Sequence, residues 1–356
     1  MSSPIIRDLR IHQLTGLRYF AALLVFFSHL KWSDSNIVFA RIFESGYVGV
    51  SFFFLLSGFV LSYSYGERIS NGSLGFVKYI LLRLARLTPL HFATATPFVL
   101  FAIYKSDFHI IKTTLNLLYL QSWIPNSSFY FSLNAPSWSL SNEIFFYVCF
   151  FPLIFFSSKT LLKLSVILLI LIIVSAFFIE LYFSDQKLFG NNTVAHWLFY
   201  IFPGFRLIEF IVGMFAYRAW RNNFRISDSL VIPSYILLIG SMSFAQYVPE
   251  SFRMSLYFIP FITLFLYSHL MGDGFLVKFF SSRLLILLGN ASFAFYLIHQ
   301  PLIGVLNKAL SDFNLSETSF LFVSLFVITI VSVVIYISYE KRTELFLKRW
   351  IDHRLG

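Results

Sequence analysis

The sequence predicts an all-α membrane protein: a polytopic bundle of about ten transmembrane helices with both termini in the cytoplasm. Three observations carry this prediction. The chain of 356 residues is 58% hydrophobic and only 12% charged, about half the charged fraction of an ordinary soluble domain. Apolar runs such as 161–178 and 320–337 approach the ~20 residues that cross a hydrocarbon core as a helix. Most of the 27 Lys and Arg residues fall in alternate connections between such runs, the pattern that the positive-inside rule gives with both termini inside.

Hydropathy and turn signals define the individual spans, which we expect to form a single integral membrane domain over 1–356. A shorter apolar piece, 113–123, is too short to cross and predicts a re-entrant or interfacial element. The first apolar segment lacks a small-residue cleavage signature, so we interpret it as a retained span. The predicted spans lie near 13–30, 47–65, 82–103, 139–157, 163–182, 198–217, 229–247, 254–271, 284–306 and 318–339.

Composition and motifs exclude several classes of protein. The formal charge of +10 is scattered in short clusters without a basic arm, so nucleic acid is not the expected partner. Cys149 is the only cysteine, which excludes a disulfide framework and a cysteine metal site. The histidines form no trustworthy metal-ligand spacing, and HExxH, GxSxG and P-loop motifs do not occur. We therefore expect no metal, and the chemistry must come from polar residues within the apolar spans.

The segment LTGLRYFAALLVFFSHL, residues 14–30, places Arg18 and His29 in one span. In a continuous helix their eleven-residue separation returns both side chains to one face, with a rise of roughly 16 Å between them. An arginine near the membrane centre costs about 2.5–3.5 kcal/mol on insertion scales, so Arg18 should face protein or water. We expect a fixed cation and a titratable base on this face. A histidine at the membrane interface is the simpler alternative for His29.

Two arginines of RLARLTPLH, residues 83–91, stand three positions apart near the predicted cytoplasmic end of their span. Paired guanidinium groups bind phosphate well, so Arg83 and Arg86 suit a phosphate-rich ligand that enters from the cytoplasm. Positive-inside anchoring explains them equally well. The glycines of GYVGVSFFFLLSGFVLS, residues 46–62, favour close helix packing over a ligand site.

The stretch APSWSLSNEIFFY, residues 135–147, predicts a helix capped by Ser139 or Ser141, with Glu143 in its first turn. A carboxylate at the outer end of this span would orient His29 and hold its proton. Capping combined with an interfacial carboxylate is the alternative. Trp138 belongs to the aromatic residues of the outer connection, which we interpret first as an interfacial belt and second as a wall for an amphipathic acceptor.

Two further polar patterns lie within apolar spans. In GNASFAFYLIHQPL, residues 289–302, Ser292, Tyr296 and His299 follow a spacing of four and then three, which predicts one polar helix stripe. In FRLIEFIVGM, Arg206 and Glu209 stand at i and i+3, and we interpret them first as a structural ion pair inside the bundle.

Taken together, these motifs resemble the acyltransferase-3 group of integral membrane acyltransferases. The resemblance covers nearly the whole chain in family order and combines several weak signals into a specific one. The segments that carry it are the R-x10-H pattern of Arg18 and His29, FFFLLSGFVLS, Arg83-x-x-Arg86, SWSLSNE, RLIEFIVGM and ASFAFYLIHQPL.

The resemblance implies transfer of an acyl group, usually acetyl, from cytoplasmic acetyl-CoA to a sugar hydroxyl of a bacterial surface polysaccharide. Such acceptors include O-antigen units of lipopolysaccharide, exopolysaccharides and lipid-linked precursors, and the location implied is the bacterial cytoplasmic (inner) membrane. His29 would serve as the general base or carry the acyl group transiently, and Glu143 would orient it. Arg83 and Arg86, together with Arg18, would hold the CoA phosphates. The residues implied to support the substrate or the oxyanion are Tyr296, His299, Ser292, Ser139 and Trp138.

Some relatives append an extracytoplasmic hydrolase-like domain. We see none in this sequence, so we expect the protein to complete the transfer itself or to hand the acyl group to a separate extracytoplasmic transferase. A transporter or flippase for a sugar-containing or anionic substrate is the alternative function, because intramembrane Arg, Glu and His also relay ions or gate substrates. Against this alternative, the sequence has no inverted repeat with paired broken helices.

Overall fold

The computed structural model describes residues 4–32, 37–183, 186–187, 192–224, 226–272 and 274–355. The described chain is 83% helical and has no β-strand, which confirms the prediction of an all-α fold. Its α-helices are α1 Pro4–Phe27, α2 Ile37–Glu44, α3 Val48–Ser70, α4 Phe76–Tyr104, α5 Ile110–Leu117, α6 Ser127–Tyr130, α7 Trp138–Leu153, α8 Ser158–Tyr182, α9 Pro203–Arg221, α10 Val231–Phe244, α11 Glu250–Arg253, α12 Ile259–Met271, α13 Phe275–Phe280, α14 Arg283–Asn290, α15 Ser292–Ala309, α16 Glu317–Ile335 and α17 Lys341–Leu355.

Several of these helices are suited to a bilayer. By length and composition alone, five described helical segments can cross a membrane, or six if one bent pair counts as a single span. Val231–Tyr247 and Ile259–Met271 are shorter apolar helices. Each of the ten predicted spans coincides with helix, and the polytopic helical bundle is confirmed; the number ten stays a prediction.

The longest apolar helices expose large apolar side chains on one surface. On α8, Ile167 and Leu181 are 64% and 74% exposed, and on α16 Phe326 is 67% exposed. Apolar surfaces of this kind are unfavourable in water and favourable in the hydrocarbon core of a bilayer. The exposed faces of α8 and α16 are therefore lipid-facing surfaces of a multi-pass membrane protein.

Two predicted spans differ from the helices found. Helix α4 begins at Phe76 after an extended Gly75, six residues before the predicted start at 82, so Arg83 lies two turns inside the helix. The predicted span 284–306 is broken: α14 and α15 meet at an angle of 61° around Ala291. The segment 113–123 contains the short α5 and a 3-10 turn at Gln121–Trp123.

The described chain divides into two compact units. The first comprises Met1–Phe53, Trp220–Tyr247 and Phe258–Tyr339. In it α1 packs on α12, α13, α14 and α15, and α15 packs on α16. The segment 45–49, at the start of α3, also approaches α1 closely: at Gly46 and Gly49 an added Cβ would overlap the backbone oxygens of Leu24 and Ala21. The prediction that these glycines serve close helix packing is confirmed for the first unit.

The second unit comprises Phe54–Ala219, Val248–Tyr257 and Glu340–Gly356. Helix α4 packs on α7 and α17, and α8 packs on α11. Gly58 lies against the backbone oxygen of Phe210, where a Cβ would again overlap. Arg206 and Glu209 are fully buried, with the Nη2 and Oε2 atoms 3.1 Å apart, so the predicted internal ion pair is confirmed.

Candidate active site

The end of α1 positions His29. The helix ends at Phe27, and the next backbone bonds, from His29 N to Phe26 O (3.1 Å) and from Leu30 N to Phe27 O (3.2 Å), span three residues. The expectation of a regular helix to residue 30 is therefore wrong, because the last turn tightens as helix ends commonly do. The regular helical period that relates Arg18 to His29 therefore ends at Phe27, two residues before His29. Arg18 itself lies within α1 and is half-buried.

Local hydrogen bonds fix the tautomer of His29. Its Nδ1 lies 2.8 Å from the carbonyl oxygen of Val25, one turn earlier on α1, and 3.4 Å from Ser28 Oγ. A carbonyl oxygen only accepts, so Nδ1 must carry the proton of the neutral ring. The lone pair then resides on Nε2, on a side chain exposed at the surface of its unit. This is the state that a general base needs.

A second imidazole from α15 lies beside the first. The rings of His29 and His299 meet edge to face with their centroids 5.0 Å apart. His299 donates Nδ1–H to Tyr296 O at 2.5 Å, while its Nε2 is buried and has no hydrogen-bond partner among the described residues. Ser292 Oγ, at the start of the same helix, is likewise buried without a described partner. All three predicted residues of the polar stripe thus lie on α15, at 0–7% exposure.

The second unit holds a separate charged cluster. Arg83 Nη2 donates to the Tyr147 hydroxyl at 2.9 Å, and that hydroxyl donates in turn to Glu143 Oε2. The Arg83 guanidinium also lies over the rings of Tyr147 and Tyr65, at 4.6 and 5.7 Å from their centroids. Tyr147 therefore links Arg83, which was predicted to bind phosphate, to Glu143, which was predicted to orient His29.

Arg86 has a different partner, one turn further along α4. Its Nη1 lies 3.5 Å from Glu344 Oε2 on α17, and the other oxygen of Glu344 accepts from Lys348 at 2.5 Å. Lys78, on the same side of α4, pairs with Asp352 at 2.9 Å. The C-terminal helix thus places a carboxylate on one of the two arginines predicted to bind phosphate.

The charged cluster also contains buried donors that no described group satisfies. Arg83 Nε and the Tyr79 hydroxyl are buried without a described hydrogen-bond partner. The ring centroids of Tyr79 and Tyr65 are 5.4 Å apart. Orphaned buried donors are uncommon in native proteins and call for a partner. A guanidinium group with a free Nε–H beside a free phenol suits an oxyanion such as phosphate.

The capping prediction for α7 is wrong. The helix begins at Trp138 after a 3-10 turn, so Glu143 lies beyond its first turn. Ser139 Oγ donates to Pro136 O at 3.2 Å, and Ser141 Oγ donates to Tyr119 O at 2.6 Å. These hydroxyls fasten α7 to the preceding connection. Trp138 is buried, with its ring 4.8 Å from Tyr200, so it belongs to an internal aromatic cluster rather than to an exposed wall.

Sequence reasoning missed Tyr147 and Glu344. Tyr147 stands four residues after Glu143, a spacing that places both side chains on one helix face, and this signal was present in the sequence. Glu344 offered no such signal, because it contacts α4 from the far end of the chain. Among the described residues, no three His, Cys, Asp or Glu side chains are grouped to hold a metal ion.

Comparison with known proteins adds independent evidence. A family model described as "Acyltransferase domain" matches residues 11–337. The chain is similar to Acyltransferase MdmB of Streptomyces mycarofaciens, with 30% identity over 325 residues that cover 82% of this chain and 79% of the relative. No solved structure was found to match.

Longer relatives match as well. Peptidoglycan O-acetyltransferase OatA of Listeria monocytogenes is 26% identical over 331 residues, which cover 84% of this chain and 50% of the relative. Putative peptidoglycan O-acetyltransferase YrhL of Bacillus subtilis is 25% identical over 331 residues, covering 82% and 48%. The chain thus spans about half the length of these two relatives.

Proposed function

The chain belongs to the acyltransferase-3 family, and on this premise we propose that it moves an acetyl or short acyl group from cytoplasmic acyl-CoA to a hydroxyl of a bacterial surface polysaccharide or its lipid-linked precursor. The family and its relatives indicate a membrane O-acyltransferase. Cytoplasmic acyl-CoA as donor, a glycan as acceptor and the bacterial cytoplasmic membrane as location are proposed here. The peptidoglycan named for the Listeria relative supports a glycan acceptor.

The observation that carries the proposal is the fixed tautomer of His29. Its Nδ1–H is bound to Val25 O, so the lone pair on Nε2 is available to a hydroxyl without any rearrangement of the ring. His29 would take the proton of the acceptor hydroxyl while the acceptor oxygen bonds to the acyl carbon and the carbon–sulfur bond breaks. The proton then passes to the departing thiolate, which restores the base.

The neighbouring imidazole has a narrower role than the sequence predicted. With Nδ1–H bound to Tyr296 O, a neutral His299 presents only a lone pair at Nε2 and cannot donate to an oxyanion from that atom. We assign His299 to holding the ring of His29 in position, since the two rings are in contact. Of the residues predicted to support the oxyanion, the Tyr296 hydroxyl is the better donor.

The charged cluster of the second unit suits the phosphates of the donor. Arg83 and Arg86 supply fixed positive charge, and the orphaned Arg83 Nε and Tyr79 hydroxyl fit additional phosphate oxygens. Glu344 is the carboxylate that such a phosphate would replace on Arg86. Acyl-CoA supplies an activated thioester carbonyl when bound. In this proposal Glu143 acts through Tyr147, by holding Arg83 in position. We also assign Arg18 to binding the CoA phosphates, as the family resemblance implies.

The proposal is tested with membranes that contain the protein and acetyl-CoA labelled in the acetyl group. Release of free CoA together with label on polysaccharide is the expected result. Movement of a sugar-containing substrate across the membrane without covalent label would favour the transporter alternative. Loss of CoA release in an Arg83→Ala variant, with protein abundance unchanged, would support the assignment of the donor site.

A further inference from the structure

A cavity of about 650 Å³ opens beside His29. Its described wall belongs to the first unit: the turn that follows α1, the second half of α15, the connection after it and the start of α16. Its volume falls in the ~300–1,000 Å³ range of small-molecule sites. The cavity therefore joins a base of fixed tautomer to enough space for a ligand.

One wall is a fixed aromatic ring. The indole N–H of Trp32 donates to Phe27 O at 2.9 Å, and the ring stacks on Phe43 with centroids 4.3 Å apart and planes at 24°. These two contacts leave Trp32 little freedom, so binding against it costs little conformational entropy. A fixed indole face beside polar groups suits the apolar C–H face of a sugar ring.

The polar part of the wall is nearly balanced in charge. Asn307, Ser311 and Asn314 offer amide and hydroxyl groups that both donate and accept hydrogen bonds. Asn314 has a left-handed backbone (φ 47°) in the connection between α15 and α16, a conformation that asparagine tolerates better than most residues. Lys31 and Glu317 bring one charge of each sign. This set suits neutral hydroxyls better than phosphate or carboxylate groups, which select clustered cations.

The remaining wall is apolar and reaches a lipid-facing surface. Ile303 on α15 and Leu321 and Phe322 on α16 line it, and Phe322 is 65% exposed. The cavity therefore combines a polar region near His29 with an apolar flank. An amphipathic ligand satisfies both parts at once.

We propose that this cavity is the acceptor site and that it takes a neutral sugar joined to an apolar group. Trp32 packs against the sugar ring, Asn307 and Glu317 bind its hydroxyls, and the reacting hydroxyl lies at His29 Nε2. The apolar group lies along Ile303 and Phe322. The site rests on the proposed function only for the role of His29. The bound sugar is either the head of a lipid-linked glycan or a glycoside that arrives from water.

The test measures binding apart from catalysis. The protein is placed in lipid nanodiscs with Cys149→Ser, and a single cysteine is introduced as Asn307→Cys or, for the control, as Lys308→Cys. Lys308 is exposed on the same helix, at the next position, outside the cavity wall. Each variant is labelled with a bulky charged thiol reagent. Binding of a radiolabelled octyl glucoside, below its micelle-forming concentration, and binding of acetyl-CoA are then measured.

The expected result is at least a tenfold loss of octyl glucoside affinity after labelling at 307, little change after labelling at 308, and unchanged acetyl-CoA affinity in both. Equal effects at the two positions, or no glycoside binding by the unlabelled protein, would overturn the acceptor site. The proposed function would survive that outcome if acetyl transfer to polysaccharide persisted. Glycoside binding without acetyl transfer would instead overturn the proposed acyltransferase function and support the glycoside site.

Two further probes separate the sources of the sugar. Tighter binding of a lipid-linked disaccharide than of octyl glucoside would identify a membrane-borne acceptor. Equal affinity for the two would identify a soluble glycoside. If free glucose bound as tightly as octyl glucoside, the apolar group would not contribute to binding, and the role proposed for Ile303 and Phe322 would be wrong.

Discussion

The imidazole rings of His29 and His299 meet edge to face, and each donates its Nδ1–H to a backbone carbonyl of its own segment. Both Nε2 atoms therefore carry lone pairs in the neutral state. Two imidazolium rings in contact would repel each other, so the pair takes up one proton, at the exposed His29. His29 is then the base for the acceptor hydroxyl, and His299 holds its ring in position.

Replacement of His299 should slow the reaction without weakening substrate binding. A general base contributes ~10²–10⁴-fold to rate, and His299→Gln lets the ring of His29 move, so we expect kcat to fall at least tenfold, with KM for either substrate unchanged. Glutamine keeps much of the volume and a hydrogen-bonding group at this buried position. A variant with normal kcat and a lowered melting temperature would show that His299 only packs.

Removal of the Tyr147 hydroxyl should weaken donor binding. Tyr147→Phe keeps the ring beneath Arg83 but breaks the connection to Glu143. Arg83 then loses the contact that holds its guanidinium in place, so KM for acetyl-CoA should rise several-fold while kcat changes less. Tyr104, which is 79% exposed, provides the control, and Tyr104→Phe should leave both constants unchanged. A Tyr147→Phe enzyme with an unaltered KM would remove Tyr147 from the donor site.

Release of Arg86 from its carboxylate should favour the donor. In Glu344→Gln the guanidinium keeps a neutral hydrogen-bond partner but loses the competing charge. If a donor phosphate displaces Glu344, KM for acetyl-CoA should fall several-fold, and the gain should shrink at high salt because screening weakens charge interactions. Asp352→Asn, which affects the pair with Lys78, should have no such effect. A raised KM would mean that Glu344 positions Arg86 for the donor and does not compete with it.

The buried ion pair of α9 should matter for stability. Arg206 and Glu209 are fully buried, and Arg206 also donates to Met254 O at 2.6 Å. Loss of one partner leaves a buried charge without compensation, at a cost of about 3–5 kcal/mol. We expect Glu209→Gln to lower the unfolding temperature in detergent markedly, whereas Lys78→Ala should have a small effect because the ion pair it breaks is partly exposed, through Asp352, and such pairs are worth ~1 kcal/mol or less. Equal effects would contradict a structural role for the pair.

The fold was largely predictable because hydropathy is a local property. Helix occurs at every predicted span, and the spacing of Ser292, Tyr296 and His299 placed them correctly on one helix. The ends were less predictable: residues 76–81, which include Lys78, gave no sign that α4 starts at Phe76, and α1 ends at Phe27 in a tightened turn that carries His29. Such details depend on hydrogen bonding at helix ends, which periodicity does not encode.

The site was predictable only where its residues share a helix. The partnership of Arg83 with Tyr147 joins α4 to α7, and that of Arg86 with Glu344 joins α4 to the C-terminal helix. Neither follows from spacing along the chain, since tertiary packing decides which helices meet. The cavity beside His29 arises in the same way, from segments almost three hundred residues apart.

Acetyl transfer by a His29→Ala variant tests the central claim most directly. Membranes with equal amounts of wild-type protein, His29→Ala and the control His109→Ala, which alters a histidine 59% exposed in its side chain, are given acetyl-labelled acetyl-CoA. We predict that His29→Ala loses transfer to polysaccharide but still binds acetyl-CoA, and that His109→Ala behaves like the wild type. Transfer at the wild-type rate by His29→Ala would contradict the account.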